Sequence, residues 1–372
     1  MRSLTHAEYL AMRRFPALDG MRAIAAVMVV FFHFAGPRWA WLNGFLGVHM
    51  FFVLSGFLIT TLALREENRT GRVSLREFYV RRVFRILPVY YVVLAMIVAL
   101  AWLRGEWVSS GLPGLLDNYL TFTNEWGPNN SLFGQSWTLG VEQKFYLAWP
   151  LLVFTVGAFT FARHALTTVG LLVLAVVGAS VLSPQASAAA YFMILVGCLL
   201  AFVLHNPRGF AVMRPLTHPV VAIPVAVALI ALQSYMIEAT AFIGYDMPAP
   251  ALYAVLVALL VVSTLGRGPV QWILSRPSMV FIGERSYSLY LVQGLAGVVV
   301  VSTFPVLQVH RTATGIVVTI VGLCIADLLY RWVEVPMIDR GRQLIGALRR
   351  RSRSEVVPSE RTREPASADA LV

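Results

Sequence analysis

Residues 18–33, LDGMRAIAAVMVVFFH, decide the fold of this chain. All ten side chains from Ala23 to Phe32 are apolar, and the run lies between Arg22 and His33. About 20 mostly apolar residues are needed for a helix to cross a bilayer. A charged side chain near the bilayer centre costs at least ~2.5 kcal/mol, so it needs a partner or a function. We therefore predict a membrane-spanning helix with two polar residues that require an explanation.

Stretches of the same kind recur along the whole chain. Of the 372 residues, 58% are hydrophobic and only 13% are charged, whereas soluble domains are about 45–50% apolar and about 25% charged. This composition excludes an ordinary soluble protein. We predict an all-α polytopic membrane protein with ten spans, at 18–36, 44–64, 86–103, 137–160, 165–183, 188–204, 218–236, 249–265, 280–301 and 313–333.

The basic residues predict the orientation of these spans. With the N-terminus inside, 23 of the 30 lysines and arginines fall on the cytoplasmic side and three on the other side. Cytoplasmic loops are enriched in Lys and Arg, so both termini are predicted to be cytoplasmic. The formal net charge of +11 does not indicate a nucleic-acid partner, because the basic residues are spread between apolar spans.

Three segments follow from this pattern. Residues 1–17 form a cytoplasmic N-terminal segment, residues 18–336 form one membrane domain, and residues 337–372 form a basic cytoplasmic tail. From about Arg349 the tail is rich in Arg, Ser, Glu and Pro, which predicts disorder close to anionic lipid headgroups. The first span follows Arg13 and Arg14 as a signal peptide would, but it lacks a convincing cleavage site, so we expect it to be retained.

Arg22, His33 and Glu142 are the polar residues with the most informative spacing. Arg22 and His33 are eleven residues apart, so they share one helix face about 16 Å apart along the axis. His33 lies ~21 Å above Asp19, and Glu142 lies ~8 Å below Trp137 on an oppositely directed span. The two distances nearly sum to the ~30 Å thickness of the hydrocarbon core. The spacing thus predicts His33 and Glu142 at one depth, either as a base with its orienting carboxylate or as a structural hydrogen bond.

Seven arginines precede the third span, between Arg65 and Arg85. Arg82 and Arg85 lie three residues apart and would cluster on a helix. Such a cluster suits a polyphosphate ligand, and an ordinary positive-inside loop is the alternative. Cys198 and Cys324 fall inside predicted spans, and the seven histidines lack metal-ligand spacing. We therefore expect neither a disulfide nor a metal site.

Six motifs together resemble acyltransferase family 3, the membrane acyl-CoA transferases of polysaccharides, lipid-linked glycans and macrolides. The opening motif of that family, an Arg and a His separated by ten residues, is matched by Arg22 and His33. Its Arg-x-x-Arg segment is matched by Arg82 and Arg85, and its Trp-Ser-Leu-x-x-Glu motif by the segment that contains Glu142. The matching stretches are residues 18–33, GVHMFFVLSGFLIT (47–60), FYVRRVFRILPVYY (78–91), QSWTLGVEQKFYLAWP (135–150), IGERSYSLYLVQ (282–293) and RWVEVP (331–336).

The resemblance implies an O-acyltransferase of the bacterial plasma membrane with about ten spans and no permanently bound cofactor. Its co-substrate would be acyl-CoA, acetyl-CoA first of all, and its acceptor a hydroxyl of a carbohydrate or of a macrolide-like glycosylated molecule. His33 would act on the acceptor hydroxyl with support from Glu142. The donor would be bound by Arg22, Arg82 and Arg85, and the substrates would also be contacted by Ser55, Trp137 and Tyr146.

Three departures from the family pattern keep alternatives open. His49 replaces the usual Asp, Gln143 and Lys144 replace a Glu-Gln pair, and Gln293 stands where a His is common. A secondary transporter or flippase could use the same intramembrane charges, and a non-catalytic scaffolding subunit could lack some of them. Hydrolysis of acyl-CoA that depends on His33 would distinguish the enzyme from both.

Overall fold

The structure, a computed structural model, describes residues 2–126, 133–154, 166–171, 173–174, 185–243 and 248–356. Every labelled element in these ranges is helical. The helices are α1 (His6–Ala11), α2 (Pro16–Phe34), α3 (Leu46–Thr70), α4 (Leu75–Leu103), α5 (Leu112–Thr121), α6 (Trp137–Phe154), α7 (Gln185–His205), α8 (Pro207–Met213), α9 (Ala222–Ser234), α10 (Met236–Ile243), α11 (Pro248–Ser263), α12 (Pro269–Leu274), α13 (Pro277–Glu284), α14 (Ser286–Thr303), α15 (Arg311–Leu329) and α16 (Val335–Val356).

The described helices include five that are long and apolar enough to cross a membrane. These are α2, α3 with the turn before it, α4, α14, and α15 with its continuation into α16. Two bent pairs raise the number to seven if each pair is one span, α7 with the segment Pro207–Thr217 at 105° and α9 with α10 at 72°. The chain is thus a multi-pass helical membrane protein, and the ten-span count and the orientation of the termini stay predictions.

Several predicted spans differ from the observed helices. The predicted span 249–265 corresponds to α11, which has only 16 residues, and the predicted span 280–301 is interrupted at Arg285 between α13 and α14. Most of the predicted span 165–183 lies outside the described residues. Hydropathy is averaged over about 20 residues, so it detects apolar length but does not detect a break as short as the one at Arg285.

The turn between α3 and α4 follows from local sequence. Gly71 ends α3 in the left-handed region with φ 75°, which glycine adopts without steric cost. Ser74 then caps α4, and its hydroxyl accepts a hydrogen bond from the backbone N–H of Glu77. The arginine-rich segment therefore continues into α4 itself, and Arg82 and Arg85 lie in the first half of that helix, one helical turn apart.

Helix α2 is the centre of the packing. A side chain at Gly283 would collide with the backbone of Asp19, and one at Gly297 would collide with the ring of Phe34. The α13–α14 segment therefore runs beside α2 in the same direction, from the Asp19 end to the Phe34 end. Helix α3 runs the opposite way, and Gly47 near its start lies against the carbonyl of Ala25. Small residues at such crossings let backbones approach closely, as is usual in membrane proteins.

The C-terminal segment is more ordered than predicted. A π-helical turn, Tyr330–Glu334, connects α15 directly to α16, which continues to Val356. The expectation of a disordered tail from about Arg349 is therefore wrong up to Val356, and the remainder lies outside the described residues. Helix α16 is held by Gly341 packing on Phe84 and by an ion pair between Arg349 and Glu77. Composition alone does not reveal these long-range contacts.

Candidate functional site

A cavity of about 430 Å³ lies near the Asp19 end of α2, between α2, α3, α4, α6 and α14. Six of the eight predicted site residues line it: Arg22, Ser55, Arg82, Arg85, Glu142 and Tyr146. These side chains come from four helices that are far apart along the chain. The three arginines, which the resemblance assigns to the donor, therefore lie in the same cavity as Glu142, which it assigns to the support of His33.

Glu142 lies in the polar part of this cavity. The hydroxyl groups of Ser55 and Tyr146 hydrogen-bond to each other beside it. Arg22 and Arg82 are close enough to act on its carboxylate electrostatically, and the Arg82 guanidinium lies over the Tyr146 ring, 5.4 Å from the ring centroid. The carboxylate is thus surrounded by fixed positive charge and hydroxyl groups, a setting that would hold a polar or anionic group of a ligand.

Three further acidic residues, Asp19, Glu284 and Glu334, line the cavity, and the sequence motifs assign none of them to the site. The Glu334 side chain belongs to the π-helical turn and is buried, and its Oε2 accepts a hydrogen bond from the Ser288 hydroxyl at 3.1 Å. Arg85 and Arg22 act on it electrostatically. Its signal in the sequence was the closing motif RWVEVP, in which it is the acidic residue.

The opening of the cavity carries further arginines. Arg13 and Arg14 lie in the segment before α2, Arg342 lies on α16, and all three are exposed and line the cavity. Asp19 lines it as well and is 3.8 Å from Arg22. Basic residues therefore extend from the entrance to the interior.

His33 and Trp137 do not line this cavity. His33 is exposed on the last turn of α2, and its Nδ1 is 2.8 Å from the carbonyl oxygen of Val29. A carbonyl oxygen only accepts, so Nδ1 carries the hydrogen, and Nε2 of the neutral ring keeps a lone pair that can take a proton. Trp137 packs against the core beside Phe52.

The predicted depth match between His33 and Glu142 is wrong. Glu142 shares its cavity with Arg22, and His33 lies eleven residues further along α2, about 16 Å away along the axis. The prediction placed Trp137 at the membrane surface. In the structure, Gln135 just before it donates a hydrogen bond to the carbonyl of Leu291, and its own carbonyl accepts one from the Tyr290 hydroxyl. Helix α6 thus begins beside the first half of α14, well inside the fold.

Lys144, one of the departures from the family pattern, points away from the cavity. Its Nζ is 2.9 Å from Glu125 Oε2, donates to the carbonyl of Phe122 at 2.7 Å and lies over the Trp126 ring. It thereby attaches α6 to the loop that follows α5. This departure affects a structural contact and leaves the charges of the cavity unchanged.

At His49 and Gln293, the departures leave polar atoms that have no partner in the described part of the chain. His49 packs edge-on against Phe45, and its buried Nδ1 has no hydrogen-bond partner among the described residues. Gln293 is only 2% exposed, and neither of its amide atoms is paired within that part of the chain. The Nε2 atom of Gln143 is likewise buried without a partner among the described residues. The departures are therefore not equivalent, since Lys144 alone among them forms an ion pair in the described part of the chain.

Asp327 and Arg331, two charged residues of the tenth predicted span that stand four positions apart, form an ion pair. Asp327 on α15 and Arg331 in the π-helical turn are 2.8 Å apart, and Asp327 also pairs with Arg285 at 2.6 Å. The second contact joins α15 to the break between α13 and α14. These charges therefore have structural partners.

Comparison with known families decides between the classes that the sequence left open. Residues 15–331 match the family model of an acyltransferase domain. The chain belongs to acyltransferase family 3. All eight predicted site residues of this acyltransferase-family chain lie inside the matched range, on α2, α3, α4 and α6.

Two bacterial relatives of this chain are named as O-acetyltransferases. The chain is 28% identical over 359 residues to the peptidoglycan O-acetyltransferase OatA of Listeria monocytogenes, covering 88% of this chain and 56% of that protein. It is 26% identical over 365 residues to the O-acetyltransferase OatA of Staphylococcus aureus, covering 88% and 58%. The chain therefore spans a little over half the length of these relatives. No solved structure matches it. With these relatives and its apolar helices, the chain is a multi-pass bacterial membrane protein.

Proposed function

We propose that this chain is an O-acyltransferase that moves an acyl group, acetyl first of all, from acyl-CoA to a hydroxyl group of a carbohydrate. The observation that carries the proposal is the convergence of Arg22, Arg82 and Arg85 with Glu142 in one cavity. The names of the relatives, which are O-acetyltransferases, support the reaction class.

The donor would enter through the arginine-lined opening. Guanidinium groups bind phosphate oxygens in a bidentate manner and stay charged when partly buried. The diphosphate of acyl-CoA would lie near Arg82 and Arg85, and the pantetheine arm would extend along α2. The distance of ~16 Å from Arg22 to His33 matches the reach that this arm needs. With both termini cytoplasmic, as the basic residues predict, the opening would face the cytoplasm and the cytoplasmic pool of donor.

The acceptor would meet the donor at His33. The Nε2 lone pair of His33 would take the proton of an attacking hydroxyl, which contributes about 10²–10⁴-fold to a rate. The hydroxyl oxygen bonds to the thioester carbonyl carbon, the carbon–sulfur bond breaks, and the proton passes from His33 to the departing thiolate. Glu142, near the arginines, would act on the donor side rather than directly on His33. Because His33 is exposed at the far end of α2, a large carbohydrate can reach it.

Labelled donor tests the proposal directly. Purified protein is incubated with radiolabelled acetyl-CoA and peptidoglycan fragments, and label is followed on protein, free acetate and sugar. We expect transfer by the native protein and its loss in His33→Ala and Glu142→Ala. The control is Arg208→Ala, an exposed arginine at the start of α8 that does not line the cavity.

Two outcomes would contradict the proposal. Absence of binding and turnover in the native protein, across several acyl chain lengths, would overturn the enzyme hypothesis and favour a transporter that uses the same charges. Equal turnover in the native protein and the His33 variant would remove His33 from the mechanism.

A further inference from the structure

Gln293 has a buried side-chain amide that the described part of the chain leaves unpaired. It lies on α14 and is 2% exposed, and neither its Nε2 nor its Oε1 has a hydrogen-bond partner among the described residues. Folded proteins pair nearly all buried polar groups, because an unpaired one loses its water without compensation. A leucine or methionine would fill the same space without this cost. The unpaired amide therefore needs an explanation other than packing.

The position of Gln293 along the bundle can be derived from the packing of α14 on α2. Gly283 lies against Asp19 and Gly297 lies against Phe34, so 14 residues of the α13–α14 segment span nearly the same length as 15 residues of α2. At 1.5 Å per residue, Gln293 lies ~11 Å beyond the level of Arg22 and ~5 Å before the level of His33. It is thus between the arginine cavity and the histidine.

Gln293 does not itself line the cavity, but it lies on the face of α14 that turns to it. Ser286 and Tyr290 line the cavity and precede Gln293 on α14 by seven and three residues. Residues at these spacings share a helix face. Tyr290 is bonded to Thr138 and to the carbonyl of Gln135, so its hydroxyl is already occupied. On this face, Gln293 offers the next polar group in the direction of His33.

We propose that Gln293 binds the acyl group during transfer, its Nε2–H donating a hydrogen bond to the carbonyl oxygen of the thioester. The inference rests on the proposed function, since it requires an acyl-CoA donor whose acyl end reaches the region below His33. When the acceptor oxygen attacks the carbonyl carbon, negative charge develops on the carbonyl oxygen. A fixed amide donor at that point stabilises the charge, and loss of one such donor costs an acyl-transfer enzyme about 10²–10³-fold in kcat.

The proposal predicts opposite effects on stability and on activity. Gln293→Leu keeps the approximate volume of the side chain and removes the unpaired polar atoms, so Tm is expected to stay the same or to rise. With acetyl-CoA and a carbohydrate acceptor, kcat is expected to fall by about 10²-fold, while KM for acetyl-CoA stays within about threefold, because the phosphate contacts are elsewhere. Gln293→His supplies another N–H donor and is expected to recover part of kcat.

Gln233 provides a matched control. It is also a buried glutamine, at 7% exposure, but its Nε2 donates to the carbonyl of Leu42 at 2.7 Å and its Oε1 accepts from the Tyr253 hydroxyl at 3.4 Å. Gln233→Leu breaks these bonds and leaves the Leu42 carbonyl without the amide that it binds. It is expected to lower Tm and to leave kcat per folded molecule unchanged, the reverse of the pattern at Gln293.

The outcomes separate this inference from the function on which it rests. A native protein that transfers no acyl group from acyl-CoA contradicts the proposed function and with it the role of Gln293. Native turnover together with an unchanged kcat in Gln293→Leu overturns the role of Gln293 alone. A fall in Tm for Gln293→Leu comparable to that for Gln233→Leu would mean that Gln293 is bonded within the fold, and would also overturn the inference.

Discussion

Arg349 and Glu77 form a two-point ion pair that joins the C-terminal helix to the start of α4. The Arg349 Nε atom is 2.6 Å from Glu77 Oε1, and its Nη2 atom is 2.5 Å from Oε2. Glu77 is 9% exposed, and the two residues are 272 positions apart. The pair fixes α16 beside the cavity, where Ile338 and Arg342 contribute to the lining. The C-terminal helix is therefore part of the entrance to the cavity.

Removing the charge of Glu77 is expected to loosen α16. Bidentate arginine–carboxylate contacts are among the stronger ion pairs. Because Arg349 is half exposed, the loss in the free energy of unfolding is limited to about 1 kcal/mol. In Glu77→Gln, limited trypsin digestion should cleave α16 faster than in the native protein. Asp339→Asn, which breaks an exposed pair with Arg342 inside the same helix, should leave the rate unchanged. Equal rates in the two variants would show that α16 is held by packing alone.

Lys144 is expected to matter for stability and not for donor binding. Lys144→Met leaves Glu125, whose side chain is 1% exposed, without its cation. Breaking a buried pair costs about 3–5 kcal/mol, and the partial exposure of Lys144 reduces this figure. The Tm of Lys144→Met should fall, and Glu125→Gln combined with it should recover part of the loss. KM for acetyl-CoA should be unchanged throughout, and a large rise in KM would contradict the separation of Lys144 from the cavity.

The crossing of α3 and α7 depends on Gly56. A Cβ at Gly56 would collide with the carbonyl oxygen of Ile194. A Cβ at Gly197 would likewise collide with the carbonyl oxygen of Val53. Gly56→Ala is therefore expected to force the two helices apart. The free energy of unfolding should fall by about 1–3 kcal/mol or more, as it does in overpacked cores. A Cβ at Gly346 on α16 would meet no atom within 4 Å, and Gly346→Ala should stabilise by about 0.5–1 kcal/mol. Fluorescence-detected thermal unfolding in detergent compares the two, and similar Tm values would contradict the close crossing.

Substitutions at the two ends of the site are expected to affect the binding of coenzyme A and the turnover differently. Arg82 lines the cavity and His33 does not. Arg82→Gln should weaken the binding of coenzyme A, measured by calorimetry, by about tenfold or more, since a contact with a charged group contributes about 1.5–3 kcal/mol. His33→Gln should bind coenzyme A normally and lose turnover. Loss of binding in the His33 variant would contradict the ~16 Å separation of the two functions.

Much of the architecture was predictable because apolar length and charge bias are properties of the chain alone. The run from Ala23 to Phe32 needs no tertiary information to be recognised as a membrane helix. The motifs assign Arg22 and Arg82 to the donor and Glu142 to the support of His33, and the structure places all three in one cavity. What failed was the depth of Glu142, since the prediction assumed that Trp137 lies at the membrane surface. Gln135, just before α6, instead lies beside α14, as its hydrogen bonds to Leu291 and Tyr290 show.

The sequence by itself determined that this is a helical membrane protein and which polar residues lie within its apolar spans. Because burying a charge in lipid costs free energy, each charged residue inside an apolar run indicates a partner or a function. The tertiary structure alone decided which of those residues meet. Glu334 lines the cavity, Lys144 pairs with Glu125 outside it, and Gln293 is buried with no partner among the described residues. The physical reason is that hydrogen bonds and ion pairs depend on angstrom-scale distances between helices, and these are set by contacts such as Gly283 on Asp19 that no local pattern encodes.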